Sequence, residues 1–368
     1  MQRWDNTAKR KWRVLIVSDG KRGHVHQTEG VVRKLHNVIG KKFEITIGKG
    51  YYLFLVFISI IARHVSFSHP FILFLVQKVT KSSMSSLIKF SPDLIISAGS
   101  FTHPVTYLLS KIWNSKTVVC MRPSLLSVED FDLVVVPRHD EYRCRGGNII
   151  YTMGATSHIS EGFIFAEAAA LYPKLKGEVK RPIGLLIGGN SSRNFITPEM
   201  AQEIVGEVLL ACEENEISVL TTTSRRTPLE AEKNVKEQLE EHPNSAYLLL
   251  ASESNDNPVP GIIGMCEVVI VTEDSVSMVS EIISGGKYAI VVKVGRSRKG
   301  FKFEKLFNDL MDEQYITYTS IEGINRSVTE VLKRKKRGFK PLDESRKVAV
   351  EIERRFFGEG SGTGVKRE

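Results

Sequence analysis

Twice along its length the sequence runs through one grammar: a short apolar stretch, a polar turn, then a stretch with apolar residues at helical spacing. The first series opens with WRVLIV (12–17), the turn SDGKRGHVHQTEG (18–30) and the amphipathic helix GVVRKLHNVI (30–39). It continues as PDLIISAGS, the helix THPVTYLLSKIW, the strand KTVVCMRPS and DLVVVPRHDE. Short apolar runs alternating with helical segments predict a parallel sheet whose strands are covered on both faces. After 154–180 the series restarts with RPIGLLIGGNSSRN and a helix begun by the cap Thr197 and by Pro198 at its first position. ISVLTTTSRRTP, the helix TPLEAEKNVKEQLEEH, AYLLLAS, EVVIV and YAIVVKV follow. A chain of 368 residues also exceeds one comfortable core. The expected fold is α/β, with two doubly wound Rossmann-like domains over 1–160 and 181–340, joined by a linker over 161–180. A terminal helix over 341–357, capped by Asp343 or Ser345, and a frayed Gly/Ser-rich tail over 358–368 complete the expectation.

The excess of 51 Lys and Arg over 42 Asp and Glu, a net charge of +9, suits an anionic partner. Cys120, Cys144, Cys212 and Cys266 are widely spaced and form no CxxC pair, which indicates neither a disulfide framework nor a zinc site. The basic N-terminus already reads as a strand after a few residues, so no secretory signal is expected. Two apolar runs, 51–65 and 67–79, are each shorter than the roughly 20 residues needed to span hydrocarbon. They read either as short helices dipping into a membrane interface or as a buried helical hairpin of the first domain. The basic run 333–340 reads as a solvated face or as a contact for anionic lipid.

Chemistry-bearing residues gather at strand ends. In the second half the loops are Gly188, Gly189, Asn190, Ser191, Ser192, Arg193 and Asn194; Ser224, Arg225, Arg226 and Thr227; Asp256, Asn257 and Pro258; and TEDSVSMVSE, Thr272–Glu281. Glycines let backbone approach a ligand, arginines pair with phosphate, and a helix starting near Ser275 or Ser277 presents unpaired N–H groups to an anion. Glu281 beyond that start can accept two ribose hydroxyls, or can simply complement the helix dipole. There is no GxxxxGK[ST] and no GxGxxG with a downstream acid, which argues against a P-loop nucleotidase and a nicotinamide-dependent enzyme. In the first half, Asp19, Gly20, Gly23, His24, His26 and Gln27 follow the first strand. Ser100, Thr102 and His103 follow the second, and Arg138, His139 and Asp140 the fourth. A histidine in such a loop can act as a general base near neutral pH.

SDGKRGHVHQTEG, DLVVVPRHDE, LLIGGNSSRNFITPE, LTTTSRRTP, DNP and VTEDSVSMVSE, in that order, resemble the mitochondrial fission ELM family, whose bacterial members are treated as glycosyltransferases. The resemblance runs from about Val14 to about Leu310. It implies the GT-B fold, two Rossmann-like domains facing across a cleft, with the acceptor bound by the first and a nucleotide-diphosphate sugar by the second. It implies that Ser275 and Ser277 with the helix start bind the diphosphate, that Glu281 binds the ribose, and that Asp256 and Asn257 lie near base or sugar. Gly188, Gly189, Asn190, Ser191, Arg193, Ser224 and Arg225 complete the donor side. His24 or Asp19 is then the base, and Gly23, Gln27, Ser100 and His103 are acceptor-side. Such enzymes use neither metal nor cofactor, and Asp130-Phe131-Asp132 matches a metal-binding DxD by letters only. The nicotinamide type of sugar epimerase is not expected, for want of its fingerprint. The apolar block points to a lipid-linked or polysaccharide acceptor at the cytoplasmic membrane face, with peripheral membrane contact and no nucleic acid. The alternative is a non-catalytic scaffold on a membrane.

Overall fold

In the computed structural model, the Val- and Ile-rich runs form strands whose residues are almost all buried, as strands covered on both faces must be. The structure describes residues 10–80, 84–138, 140, 146–297, 303–334 and 341–358; His139, Cys144, most of the basic run and the tail lie outside them. The chain divides into two units, Met1–His158 with Asp343–Glu368, and Ile159–Leu342.

Unit 1 carries strands β1 (Trp12–Ser18), β2 (Val38–Glu44), β3 (Leu94–Ala98), β4 (Lys116–Cys120), β5 (Leu133–Pro137) and β6 (Ile149–Thr152). They pair in parallel in the order β2, β1, β3, β4, β5, β6. Its helices are α1 (Arg22–Lys34), α2 (Lys49–Ile61), α3 (His69–Thr80), α4 (Ser85–Phe90) and α5 (His103–Trp113). One sheet face buries Leu15, Val17 and Ile95 with α2, α3 and α5; the other buries Val14, Ile96 and Val118 with α1 and the last helix of the chain.

Unit 2 carries α6 (Glu161–Leu171), β7 (Ile183–Leu186), β8 (Asn194–Phe195), α7 (Pro198–Asn215), β9 (Val219–Thr222), α8 (Leu229–Leu239) and β10 (Ser245–Leu249). It continues with α9 (Val259–Met265), β11 (Val268–Thr272), α10 (Val276–Ser284), β12 (Tyr288–Val292), β13 (Gly295–Arg296), α11 (Glu304–Asp312), β14 (Ile316–Thr319) and α12 (Ile324–Lys333). The six long strands pair in parallel in the order β10, β9, β7, β11, β12, β14, while β8 and β13 form a separate antiparallel ribbon. The chain then enters α13 (Glu344–Ile352), which belongs to unit 1.

Strand order fixes where a ligand can enter. The order reverses beside β1 in unit 1, where β2 and β3 flank it, and beside β7 in unit 2, where β9 and β11 flank it. Crossover connections leave the two sides of such a point in opposite directions, so a crevice opens beyond the carboxyl ends of its strands.

Several expectations change. The turn expected over 18–30 is only a few residues long, because α1 begins at Arg22, and the helix expected to run to Ile39 ends at Lys34. Leu35 takes an extended conformation there, and the chain continues into β2, whose Phe43 joins the core. The stretch expected as a linker over 161–180 holds α6, whose Ile164 and Leu171 are buried and which packs along α9 within unit 2. Asp343 is the residue that caps α13, accepting the Arg346 N–H at 2.9 Å. That helix packs on α1 with Val348, Ala349 and Ile352 fully buried.

The apolar block becomes α2 and α3, which bury one face in the core of unit 1, as the helical-hairpin reading expects, and leave apolar side chains exposed on the other. Leu55, Val56, Ile72 and Val76 are core residues, while Leu53, Phe57 and Phe74 stand exposed on the outer faces. Among the described residues no helix is long and apolar enough to cross a membrane.

Candidate functional site

At the unit 1 crevice, Asp19 follows β1 directly and His24 sits in the first turn of α1. The Nδ1 of His24 lies 3.0 Å from both carboxylate oxygens of Asp19. Both side chains are mostly covered, at 20% and 10% exposure. Burial raises the proton affinity of Asp19, but the charge and hydrogen bond of His24 and the Lys21 N–H outweigh it, so its pKa lies below the ordinary value. An ionised carboxylate only accepts, so the Nδ1–H of His24 donates to it, an arrangement that in the neutral ring puts the lone pair on Nε2.

The imidazole fits because of Gly99. This residue follows β3 at a φ of +89°, a left-handed conformation that side chains disfavour, and a Cβ there would stand 2.4 Å from the ring of His24. Thr102 steadies the same turn, donating its hydroxyl to the Gly99 carbonyl at 2.7 Å.

A pocket of about 340 Å³ opens beside the dyad, lined by Asp19, Lys21, Ile45, Thr46, Ile47, Gly48, Lys49 and Phe101. Sequence reasoning missed the stretch 45–49 because it did not recognise β2, although the alternation in KKFEITIG, closed by a glycine, carries the period of a strand. Phe101 forms one wall, and its ring stacks on Tyr52 of α2 at 4.5 Å.

The other acceptor-side residues are placed unevenly. Ser100 shares a 2.6 Å hydrogen bond with Ser124. Gly23 has open space where a Cβ would be, and the carbonyl of Gln27 accepts the Thr156 hydroxyl at 3.1 Å. His26 lies against His158, with ring centroids 3.9 Å apart. His103 is a correction: it is 2% exposed, packs edge-on to Phe131, and neither ring nitrogen has a hydrogen-bond partner among the described residues. Burial and the nearby His24 charge push its pKa down to about 3, so it is a neutral core residue that an acceptor does not reach. The Asp130 and Asp132 carboxylates are structural: Asp130 receives the Arg63 guanidinium, and Asp132 the Thr117 N–H and hydroxyl.

At the unit 2 crevice, the Gly188–Gly189 turn follows β7, but its N–H groups are already in use. Gly188 donates to the Thr272 hydroxyl at 2.7 Å, and Gly189 to Asp274 at 2.9 Å. Asp274 also accepts the Thr272 hydroxyl at 2.7 Å and an Arg226 N–H at 2.8 Å, with its side chain fully covered. A Cβ on Gly188 would stand 2.2 Å from that carboxylate, and one on Gly189 2.1 Å from backbone of Arg226. The glycines are therefore accounted for from within the chain, Gly188 by the Asp274 carboxylate and Gly189 by the backbone of Arg226, which corrects the expectation that they cradle a phosphate. Burial raises the pKa of Asp274 against the pull of these donors.

Other expected donor-side groups also tie loops together. Asn190 accepts the Ile196 N–H at 2.9 Å, Ser191 accepts the N–H groups of Arg193 and Asn194, and Ser224 accepts that of Arg226. Asp256 is exposed in the loop before α9, 3.7 Å from Lys174, and Asn257 follows it. Glu273 is fully buried and accepts from Asn194 at 3.2 Å, Val294 N–H at 3.3 Å, Arg296 at 2.9 and 2.7 Å, and Tyr318. It fastens the β8–β13 ribbon to the sheet edge, a role only the fold reveals.

What stays open is the start of α10. Ser275 is its N-cap without a side-chain cap bond, Ser277 is exposed, and Glu281 is buried further along the helix. Among the described residues the N–H groups of Val276, Ser277 and Met278 have no acceptor, which makes this helix start an anion-facing end. Arg193 and Arg225 follow β7 and β9 at the same sheet edge, and neither guanidinium has a partner among the described residues.

A family model described as mitochondrial fission ELM1 matches residues 22–356. An uncharacterized protein of Rickettsia prowazekii is 27% identical over 299 residues, 71% of this chain and 79% of that one. The mitochondrial fission protein ELM1 of Arabidopsis thaliana is 22% identical over 311 residues, 77% of this chain and 69% of its own. Among solved structures, the UDP-GlcNAc 2-epimerase of Methanocaldococcus jannaschii aligns at a TM-score of 0.56 with 12% identity, covering 93% of this chain and 99% of that one. The glycotransferase of kitacinnamycin aligns at 0.50 with 12% identity, covering 94% and 99%. These likenesses establish the GT-B fold. They also show that an enzyme named a sugar epimerase shares it, so the missing dinucleotide fingerprint excludes only the nicotinamide type.

Proposed function

This chain belongs to the mitochondrial fission ELM1 family, and on that footing we propose that it is a glycosyltransferase that draws on a nucleotide-diphosphate sugar. Its acceptor in this reading is a lipid-linked or polysaccharide hydroxyl at the cytoplasmic face of a membrane, which the protein contacts peripherally. The observation that carries the reading is the Asp19–His24 pair, held beside an open pocket at the switch point of unit 1.

The acceptor oxygen attacks the anomeric carbon of the sugar while its proton passes to Nε2 of His24. Asp19 holds the imidazole in the required tautomer and stabilises the imidazolium that forms. The bond between the anomeric carbon and the diphosphate breaks, and the diphosphate leaves with the electron pair. Its charge is met by the N–H groups that open α10 and by Arg193 or Arg225, dipoles and charges that need no metal to act. Ser275 and Ser277 add hydroxyls at that helix start, and Asp256 and Asn257 flank the sugar or base.

A second reading is favoured by one specific observation. The Gly188–Gly189 turn is filled by Asp274, as it would be in a scaffold that has no donor to hold. A thermal-shift panel of UDP, GDP and CDP sugars separates the two. The transferase predicts stabilisation by one class, and His24→Asn then abolishes transfer while keeping that shift. No shift from any sugar nucleotide selects the scaffold.

A further inference from the structure

We propose that the pocket between Lys21 and Lys49 takes the phosphate-bearing head of an anionic membrane lipid, with its chain lying along the outer face of α2. The inference deepens the transferase reading by naming its acceptor class.

Four observations lead to it. The pocket carries two ammonium groups and one carboxylate, and that carboxylate, Asp19, is already held by His24 with Lys21 3.4 Å away. Among the described residues Lys49 has no ion-pair or hydrogen-bond partner. It is the first residue of α2, whose first turn holds no acid, so a positive side chain stands at the positive end of a helix dipole. That arrangement is unfavourable until an anion arrives.

From Lys49 the same helical face continues as Leu53, Phe57 and Ile60, at i+4, i+8 and i+11. Leu53 and Phe57 are 58% and 59% exposed, and Phe74 of the neighbouring α3 is 65% exposed. Large apolar side chains this exposed along one face of α2 are uncommon in a protein facing only water. At 1.5 Å per residue the strip from Lys49 to Ile60 is about 16 Å long, half of a hydrocarbon core of about 30 Å.

A cationic pocket continuous with an apolar strip is the complement of an amphiphile whose head is charged and whose tail is not. Lys49 belongs to both parts, since it lines the pocket and begins the exposed face of α2, while Phe101 stacks on Tyr52 and ties the pocket wall to that helix. The head also arrives beside the His24 dyad, where an acceptor hydroxyl has to be.

The test is co-sedimentation of the full chain with vesicles of phosphatidylcholine alone and of phosphatidylcholine containing about 30 mol% phosphatidylglycerol. Binding to the anionic vesicles is expected, with Lys49→Glu and Phe57→Ser each weakening it by about tenfold or more. Lys78→Glu, on α3 and away from the pocket, is expected to weaken it by no more than about threefold. Circular dichroism of each variant confirms that its fold is kept. Equal binding to both vesicles, or equal losses from Lys49→Glu and Lys78→Glu, would overturn the site. So would full competition by free glycerol phosphate, which would make the head alone the ligand. The vesicle assay contains no sugar nucleotide and so does not depend on donor binding: vesicle binding with no thermal shift from any sugar nucleotide rejects only the transferase, and transfer to a soluble acceptor without vesicle binding rejects only the lipid site.

Discussion

Replacing Asp274 by alanine tests the account of the Gly188–Gly189 turn most directly. In the structure its carboxylate accepts from the Gly189 N–H at 2.9 Å, the Thr272 hydroxyl at 2.7 Å and Arg226 at 2.8 Å. Alanine leaves the first two donors buried without an acceptor, at about 1–3 kcal/mol each. Arg226 is 42% exposed, so its share of the ion pair is discounted to about 0.5 kcal/mol. The sum is about 2.5–6.5 kcal/mol, whereas Asp274→Asn keeps one acceptor oxygen and is expected to cost about 1–2 kcal/mol. Trp4, Trp12 and Trp113 all precede His158, so tryptophan fluorescence would miss unit 2. Hydrogen exchange of the peptide covering 183–190 reads the loss locally. The dependence on pH has a fixed sign. Burial raises the folded pKa of Asp274, so its contribution is present below the unfolded value and fades as pH rises through the folded one. The Asn penalty should therefore shrink with rising pH. Unchanged protection of 183–190 in Asp274→Ala would refute the reasoning, and tighter binding of UDP by that variant would return the turn to the donor site.

Three further outcomes follow from the same geometry. Gly99→Ala is expected to cost about 1–3 kcal/mol in urea unfolding, because it forces a side chain to positive φ and into the His24 ring; a variant of wild-type stability with unshifted His24 resonances would contradict the packing. Asp19 has a lowered folded pKa, so its contribution is present above the unfolded value and lost as pH falls through the folded one. Asp19→Asn should accordingly flatten the acid limb of the stability profile, and an unchanged limb would contradict that. Arg296→Met removes two donors from the fully buried Glu273 and is expected to destabilise unit 2 by about 2–4 kcal/mol, read by urea titration with circular dichroism. Recovery of most of that loss in Glu273→Gln/Arg296→Met would locate the cost in the stranded charge, and no loss in the single variant would deny the pairing.

Much of the architecture was legible because buried parallel strands leave continuous apolar runs, and those runs alternated with helical segments. Strand order was not, because which strand pairs with which is decided by crossovers that leave no local mark. The start of α1 escaped because Gly20, Gly23 and two histidines look like a turn, and its N-cap Lys21 makes no side-chain cap bond that a motif could announce. The glycines at 188 and 189 were expected to let backbone approach a ligand, but a glycine does not say what approaches, and here it is Asp274 at Gly188 and the backbone of Arg226 at Gly189. The occupant, Asp274, lies far along the chain and arrives only through the pairing of β7 with β11. His103 shows the same limit: a histidine after a strand reads alike whether the chain turns it outward or into the core.

The two crevices differ in a way that bears on how one fold can serve either a transferase or a scaffold. In unit 1 the polar groups are poised but unspent: the Asp19–His24 pair borders an open pocket, and Lys49 has no partner among the described residues. In unit 2 the corresponding polar groups are largely satisfied by one another, through Asp274 and through Glu273. A sheet edge that satisfies its own hydrogen bonds is stable with nothing bound, so donor binding is not a condition of folding there. Any grip on a diphosphate must come from the groups left open there, the N–H groups that start α10 with Ser275 and Ser277 and the guanidinium groups of Arg193 and Arg225, and these are open whether or not chemistry follows. Loss of transfer would then require changes only around His24, while the fold, the helix start and the apolar face of α2 stayed as they are. The functional difference between the two readings therefore rests on Asp19, His24 and Gly99, and substitution at those positions is where it should be measured.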